Sequence, residues 1–445
     1  MQHVSDELES NVRYYCRSFP TDFSRARGSY MWDASGRQYI DLFSGAGALN
    51  YGHNPQEIKQ QLLDYLAADG IVHGLDLRTE AKNSFMSDFS SLILRPKQLD
   101  YRLMFPGPTG TNAVEAALKL ARKVTGRANI ACFTNGFHGM SLGALAATGS
   151  TRKRRGAGIP LSLGDRYPYC NYFGAKVDTI DLITTLLSDP SSGFDPPAAF
   201  LVETVQGEGG VNAADDEWLR RLAGLARKHG SLLIVDDIQA GCGRTGNFLS
   251  FEPAGIYPDI VCLSKSIGGY GLPMSLLLIK PSHDAFDPGE HNGTFRGNNL
   301  AFVAGRAALA YWRQPDFLQD LDRNIVILDE WLSAVIERLP PSAAEARGRG
   351  LLRGLAFADE GLATIVAKKA FQRDVIIEVS GGRDHVLKFL PALNIPSATL
   401  TEALGRLEEI IEMECLAKAD VAEPLRRRAS GRLVPCVGSR ADGLG

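Results

Sequence analysis

The stretch Ile260-Val-Cys-Leu-Ser-Lys265-Ser-Ile-Gly-Gly269 places a lysine directly after a short apolar run and before a glycine turn. The apolar run predicts a buried strand, and a cation at the end of such a strand loses hydration and gains little packing. Desolvation lowers the pKa of a lysine amine and makes it a nucleophile, so Lys265 is a candidate for a Schiff base with an aldehyde cofactor. The alternative is an ordinary lysine at the junction of a strand and a loop.

A second apolar strand, Ser231-Leu-Leu-Ile-Val-Asp236, ends in a carboxylate. A carboxylate opposite the ring nitrogen of pyridoxal 5'-phosphate (PLP) raises the pKa of that nitrogen and keeps the ring an electron sink. This makes Asp236 a candidate partner of the cofactor, and the amide of Gln239 can donate to the phenolate oxygen of the ring. The alternative role for Asp236 is a helix N-cap or a turn.

A phosphate site is predicted where the glycine-rich turn Phe105-Pro-Gly-Pro-Thr-Gly110 leads into a helix. Free N–H groups and the macrodipole at a helix N-terminus bind phosphate, and the hydroxyls of Thr109 and Thr111 add donors. The pair Phe137-His138 offers an aromatic plane for stacking on a pyridine ring. An ordinary capped helix and simple aromatic packing are the alternatives.

Apolar strands alternate with helical segments through the middle of the chain. Strands are predicted at 129–133, 198–203, 231–236, 259–263 and 275–279, and helices at 111–125 and around 215–229. This alternation is typical of an α/β fold with a mainly parallel sheet covered by helices. Such sheets bind ligands at the carboxyl ends of their strands, where Asp236 and Lys265 lie. Residues 30–42 alternate around a turn and predict a hairpin.

In chain order, these motifs resemble those of the class III aminotransferases of PLP fold type I, over about residues 20 to 410. Two further motifs carry the resemblance, Glu203-Thr-Val-Gln-Gly-Glu-Gly-Gly210 and Gly293-Thr-Phe-Arg-Gly297. The resemblance implies a large domain with a mainly parallel seven-stranded sheet and a smaller α+β domain. The expected parts are an N-terminal segment packed with the small domain (1–55), the large PLP-binding domain (56–305), the small domain (306–417) and a mobile tail (418–445).

The resemblance also implies which residues form the site. Lys265 and Asp236 are the expected catalytic residues. Both are also expected to contact the cofactor, together with Gly110, Thr111, Phe137, His138, Glu203, Ile238 and Gln239. Thr294 is expected to reach the cofactor phosphate of the neighbouring subunit. The active unit is then a homodimer or a dimer of dimers with shared sites.

Three stretches outside the general motifs, at 13–20, 44–54 and 67–76, resemble one branch of the family. That branch moves an amino group from L-glutamate to L-aspartate 4-semialdehyde and gives L-2,4-diaminobutyrate and 2-oxoglutarate. The expected cycle is ping-pong, with Lys265 as general base and acid, and the turn at Gly45 and Ala46 narrows the substrate pocket. The pathway that consumes the product is open between ectoine, a siderophore and another metabolite.

Other functions stay open beside this one. Within the family they are an aminotransferase acting on 4-aminobutyrate, ornithine or acetylornithine, and a semialdehyde aminomutase. From a different class, a PLP-binding sensor without catalysis would use the same fold.

One position departs from the pattern of many ω-aminotransferases of this class. In those enzymes an arginine near the C-terminal proline-containing strand binds a substrate carboxylate and has a glutamate, here expected to be Glu203, as its other partner. The segment His385-Val-Leu-Lys388-Phe-Leu-Pro391 carries a lysine instead. A lysine cannot form the two-pronged contact of a guanidinium. Lys388 is therefore either a substrate contact or a surface lysine on a strand edge.

Composition excludes several classes of partner and site. A net charge of −3 with 22% charged residues gives no reason to expect nucleic acid or a membrane, so the expected partners are amino acids and 2-oxo acids. We expect a cytoplasmic enzyme with reduced thiols and no metal, since the chain lacks an apolar signal region and its seven cysteines are scattered. The glycine pattern at 241–246 is not followed by a helix start, which argues against a dinucleotide site. The basic run at 152–155 predicts a solvated loop.

Overall fold

A seven-stranded sheet lies at the centre of the computed structural model, which describes the backbone of residues 4–430. Side chains are described over the same range except those of Ser5, Asp6 and residues 416–430. The strands are β1 (Phe23–Arg27), β2 (Tyr30–Asp33), β3 (Gln38–Asp41), β4 (Arg102–Met104), β5 (Ile130–Phe133), β6 (Gly164–Tyr167), β7 (Ala199–Val202), β8 (Val205–Gln206), β9 (Asn212–Ala213), β10 (Leu232–Asp236), β11 (Ile260–Leu263), β12 (Leu276–Ile279), β13 (Ala344–Arg349), β14 (Leu352–Phe357), β15 (Val375–Ile376), β16 (Glu378–Ser380) and β17 (Val386–Phe389).

The α-helices surround this sheet and form both ends of the described range, residues 4–430. They are α1 (Val4–Leu8), α2 (Tyr15–Ser18), α3 (Ser44–Gly47), α4 (Gln56–Ala67), α5 (Glu80–Phe89), α6 (Gly110–Thr125), α7 (Leu142–Ala147), α8 (Thr151–Arg154), α9 (Thr179–Ser188), α10 (Asp216–Lys228), α11 (Asn299–Leu309), α12 (Pro315–Arg338), α13 (Leu362–Gln372) and α14 (Ser397–Ser430). Short 3-10 or π turns lie at Ser90–Leu94, Arg95–Lys97, Arg155–Ala157, Lys265–Gly268, Pro281–His283 and Ala310–Arg313.

The central sheet has the order β4-β12-β11-β10-β7-β5-β6, and β12 alone runs antiparallel to its neighbours. Each strand predicted from the sequence lies in it within one residue of its expected bounds. Every residue of β10 is buried because helices cover both faces of the sheet. Leu233 and Val235 pack in one hydrophobic core, and Leu232 and Ile234 pack in another on the opposite face. The prediction of a mainly parallel α/β sheet is confirmed.

The two ends of the chain share a second sheet. The predicted hairpin at 30–42 is confirmed, since β2 and β3 pair antiparallel, and β15 from the C-terminal part then joins β3 in parallel. Ile40 and Leu42 belong to the same hydrophobic core as Leu387 and Phe389 of the C-terminal part. A further four-stranded sheet has the order β13-β14-β17-β16. The N-terminal segment therefore packs against the C-terminal part, while the expected domain boundaries stay a prediction.

Three other expectations concern the whole chain. Cys132, Cys242 and Cys262 are buried, as their positions in or beside apolar strands predicted. No described helix is both long and apolar enough to cross a membrane. Of the tail expected at 418–445, residues 431–445 lie outside the described residues and α14 extends to Ser430, so the mobile tail stays a prediction.

Candidate active site

The carboxyl ends of β10 and β11 meet at one edge of the central sheet and place two predicted residues on one cavity. Asp236 ends β10 and is paired with Cys262 of β11, and Lys265 follows β11 directly. The cavity has a volume of about 190 Å³. Its lining includes every cofactor residue expected from the sequence except Thr294, and adds Gly139 and Glu208. The rule that open α/β sheets bind ligands at the carboxyl ends of their strands therefore predicted the position of the cavity.

Lys265 lies in the cavity with its amine held by a backbone carbonyl. Its Nζ atom donates to the carbonyl oxygen of Ala46 at 2.8 Å. Burial lowers the pKa of Lys265 to about 8, although Glu208 acts in the opposite direction. A larger fraction of the amine is therefore neutral near pH 7 than for an exposed lysine, which favours nucleophilic chemistry.

The turn that holds Lys265 has an unusual backbone. Ser44, Gly45 and Ala46 all have positive φ angles, of 46°, 58° and 57°. This conformation aims the carbonyl of Ala46 into the site, where it also accepts from Nε2 of Gln239 at 3.0 Å. Gly45 and Ala46, expected to narrow the substrate pocket, are absent from the described lining of the cavity. The turn reaches the site through this carbonyl.

Asp236 is buried and has two hydrogen-bond partners. Its Oδ2 atom lies 2.7 Å from Nδ1 of His138, and its Oδ1 atom accepts from the backbone N–H of Ile238 at 3.2 Å. Burial disfavours a charged His138, but the carboxylate of Asp236 outweighs it and the pKa of His138 is raised. His138 therefore orients Asp236 by a hydrogen bond. Of the predicted pair Phe137-His138, Phe137 is therefore the side chain that can supply an aromatic plane for stacking.

The N-terminus of α6 forms the end of the cavity at which phosphate was predicted. Thr109 does not offer a free hydroxyl there, because its Oγ1 atom donates to Oδ1 of Asn112 at 2.8 Å. The Oγ1 atom of Thr111 lies 2.5 Å from Oγ of Ser141, a hydroxyl that the sequence did not single out. A side chain at position 110 would put its Cβ 3.0 Å from Ile238, so Gly110 permits close packing of the helix on the site.

Glu203 lines the cavity, and its hydrogen bond is to the backbone rather than to Lys388. Its Oε2 atom accepts from the backbone N–H of Phe137 at 2.9 Å. Burial raises the pKa of Glu203 to about 8, with Asp236 acting in the same direction and His138 against it. Whether Glu203 serves as the alternative partner of a cation at position 388 stays a prediction, and the carboxylate beside Lys388 in this structure is a different one. Glu208, from the same motif, takes that place.

Lys388 is completely buried between two carboxylates. Its Nζ atom lies 2.7 Å from Oε1 of Glu208 and 2.9 Å from Oε1 of Glu378. Burial acts to lower the pKa of Lys388, but the two carboxylates outweigh it and raise the pKa. The alternative of a surface lysine is wrong. Glu378 was missed because nothing in its local sequence marks it, whereas Glu208 was visible as a second carboxylate in the motif.

The basic run at 152–155 also contributes to the site. Its residue Lys153 lies with Nζ 3.9 Å from the centre of the Phe137 ring and 3.9 Å from Oε2 of Glu208. Both of these partners line the cavity. The interpretation of the run as a solvated loop is therefore wrong: residues 152–154 lie in the short helix α8, Arg155 begins a 3-10 turn, and Lys153 is only partly exposed.

Comparison with known proteins decides the family. Residues 14–411 match the family described as aminotransferase class-III. The chain belongs to the class III aminotransferases. A diaminobutyrate–2-oxoglutarate transaminase from Halalkalibacterium halodurans is 52% identical to this aminotransferase over 410 residues, 92% of this chain and 96% of the relative. The enzyme of the same name from Bordetella parapertussis is 55% identical over 407 residues, 91% of this chain and 94% of the relative.

Solved structures agree with this assignment. The ornithine aminotransferase of Toxoplasma gondii, which holds PLP at partial occupancy, has 26% identity and a TM-score of 0.79, and the match covers 92% of each chain. The N-acetylornithine aminotransferase of Stenotrophomonas maltophilia has 25% identity and a TM-score of 0.71, over 91% of this chain and 99% of the other. The fold of this class III aminotransferase is that of the PLP-dependent members of its family.

PLP is the cofactor of this aminotransferase, and the cavity fits it. A partly buried lysine, a buried carboxylate and a helix N-terminus face one space, and Oε1 of Gln239 is buried there without a hydrogen-bond partner. When bound, PLP withdraws electrons from the substrate carbon that loses a proton. Among the described residues, no group of three or more side chains is arranged to hold a metal ion. The expected donation from Gln239 to the ring stays a prediction, since its Nε2 atom is bonded to Ala46.

Thr294 is not among the residues that line the cavity of its own chain. Its side chain is exposed, and the neighbouring Phe295 is 66% exposed. Its reach into the site of a second subunit stays a prediction.

Proposed function

We propose that this aminotransferase moves an amino group between L-glutamate and L-aspartate 4-semialdehyde, with L-2,4-diaminobutyrate and 2-oxoglutarate as products. The observation that carries the proposal is the 52% identity to a diaminobutyrate–2-oxoglutarate transaminase over 96% of that relative's length. Likeness to ornithine and acetylornithine aminotransferases is much weaker, at 26% and 25% identity. These values favour the four-carbon substrate over the five-carbon alternatives.

Five side chains of the cavity have a proposed role in this reaction. Lys265 would hold the cofactor, and its Nζ atom would then remove and return the proton of the substrate. Asp236, oriented by His138, faces the ring nitrogen and keeps it protonated. Phe137 stacks on the ring, and the N-terminus of α6 with Thr111 binds the phosphate. The burial of Asp236 and His138 and the position of all five side chains on one cavity support the assignment.

We also propose that the enzyme is cytoplasmic and that its active unit is a homodimer. The support is a group of exposed apolar side chains around Thr294: Ile71, Val72, Leu75, Leu77 and Phe295. His73 contacts the Phe295 ring at 5.4 Å, so these two segments form one surface. A second copy of the chain would cover this surface and bring Thr294 to the neighbouring cavity.

The substrate proposal is tested by offering purified enzyme 2-oxoglutarate with each of three amino donors. Diaminobutyrate is expected to exceed ornithine by about ten- to two-hundredfold in kcat/KM, because one additional methylene must fit the same pocket. 4-Aminobutyrate, which lacks the α-amino and α-carboxylate groups, is expected to be poor. Equal use of ornithine and diaminobutyrate would overturn the substrate assignment, and no turnover with any donor would favour the sensor.

A further inference from the structure

Lys153 contacts two residues of the cavity lining and is partly exposed to solvent. Its ammonium is 3.9 Å from the Phe137 ring centre and 3.9 Å from Oε2 of Glu208, and its side chain is 37% exposed. The ring face attracts the cation and holds it over a residue of the lining. Lys153 is thus positioned at the cavity without being sealed inside it.

The two carboxylate oxygens of Glu208 have different cationic neighbours. Oε1 is 2.7 Å from Lys388, within hydrogen-bonding distance, whereas Oε2 is 3.9 Å from Lys153, beyond it. Lys388 has a second carboxylate, Glu378, at 2.9 Å. Two carboxylates already neutralise Lys388, while Lys153 makes no hydrogen bond with Glu208.

This difference between Lys388 and Lys153 decides which of the two lysines is available to an incoming anion. A carboxylate that replaced Glu208 at Lys388 would leave buried charges without partners, which is costly. A carboxylate at Lys153 would meet a half-exposed ammonium and would displace only a long contact with Glu208. Both substrates of the proposed reaction carry at least one carboxylate.

We propose that Lys153 binds a carboxylate of the substrate at the solvent-exposed edge of the cavity. This inference rests on the proposed function and names a specificity-determining residue for it. Lys153 favours amino donors that carry a carboxylate over simple amines. It also binds a carboxylate of the 2-oxo acid, while Lys388 remains paired with Glu208 and Glu378. The family's usual arginine at position 388 is then replaced in function by a lysine from a different part of the chain.

The first test compares two amines that differ by one carboxylate, diaminobutyrate and 1,3-diaminopropane. Lys153→Met is expected to lower kcat/KM for diaminobutyrate by about ten- to a hundredfold, the usual effect of losing a charge-assisted hydrogen bond. The value for 1,3-diaminopropane should stay the same. An equal loss with both amines would assign Lys153 a structural role and overturn the proposal.

A second test does not depend on the identity of the amino donor. Glutarate, a dicarboxylate without an amino or oxo group, is titrated as a competitor of glutamate in the half-reaction followed by cofactor absorbance. Its inhibition constant should rise about tenfold or more in Lys153→Met and stay near the wild-type value in Lys153→Arg. An unchanged constant in Lys153→Met overturns the proposal even if diaminobutyrate proves to be a poor substrate.

Arg155→Ala is the matched control for both tests. Arg155 lies two positions from Lys153, carries the same charge and is exposed. If its removal changes the glutarate constant as much as Lys153→Met does, the effect is general electrostatic attraction, and the assignment to Lys153 is wrong. An unchanged cofactor spectrum in each variant shows that the site is intact.

Discussion

The ring of His138 lies 2.7 Å from Asp236, and both side chains are almost completely buried. The carboxylate raises the pKa of His138, and the histidine in turn fixes one carboxylate oxygen. The other oxygen is bonded to the backbone of Ile238. Asp236 is therefore fixed in orientation before any ligand enters.

Asp236→Asn should keep the cofactor but lose turnover by about a hundredfold or more, because a neutral amide cannot hold the ring nitrogen protonated. Absorbance of the bound cofactor and kcat with glutamate measure the two effects separately. Asp237→Asn is a matched control, since Asp237 accepts from the backbone N–H of Ser250 and is not part of the cavity lining. Wild-type turnover in Asp236→Asn would assign Asp236 a structural role.

The pKa of Lys265, lowered by burial to about 8, predicts how cofactor uptake depends on pH. The neutral amine is the reactive form, and its fraction rises as the pH passes upward through the pKa. Uptake of PLP by cofactor-free protein should therefore accelerate from pH 6 and level off above about pH 8–9, rather than near pH 10.5. Stopped-flow absorbance measures this rate. A rate that is still rising at pH 10 would contradict the assigned pKa.

Lys388→Met should destabilise the protein by about 3–5 kcal/mol, because Glu208 and Glu378 then remain in the site without their common partner. Chemical denaturation monitored by fluorescence gives the free energy of unfolding. Adding Glu378→Gln to this variant should recover part of the loss, since one buried charge is removed. If Lys388→Met alone is as stable as the wild type, the ion pairs of Lys388 with Glu208 and Glu378 do not form in solution.

Mixing two impaired parents tests whether subunits share their sites. A Lys265→Ala parent and a Thr294→Ala parent should each be impaired, but a heterodimer contains one doubly damaged site and one intact site. Random exchange should restore up to about a quarter of the wild-type activity. The control is each parent exchanged with itself, which should gain nothing. Absence of recovery after verified exchange would count against a role for Thr294 in the partner's site.

Much of the fold follows from local patterns in the sequence. Apolar runs of four or five residues predicted the central strands, because a strand buried on both faces has no polar side to interrupt the run. The meeting of Asp236 and Lys265 followed from a general rule for parallel sheets, not from any contact visible in the sequence.

The charged side chains around Lys388, which are Glu208, Glu378 and the more distant Lys153, could not be predicted in the same way. Glu203 and Glu208 are five positions apart in one motif, and the turns after β7 decide which of them meets Lys388. Glu378 and Lys153 come from distant segments, so no periodicity connects them with the site. Such contacts depend on tertiary packing, which a single sequence does not display.

The hydrogen bond from Lys265 to Ala46 joins residues that are 219 positions apart, and the bond from Lys388 to Glu208 joins residues 180 positions apart. Contacts of such long range slow folding, because a large loop must close before they are made. During synthesis, the ribosome releases the segment around Glu208 well before the one that carries Lys388. A nascent chain thus has the strands of its central sheet before it has a finished cavity, and the cofactor meets a complete site only once both ends of the chain are in place.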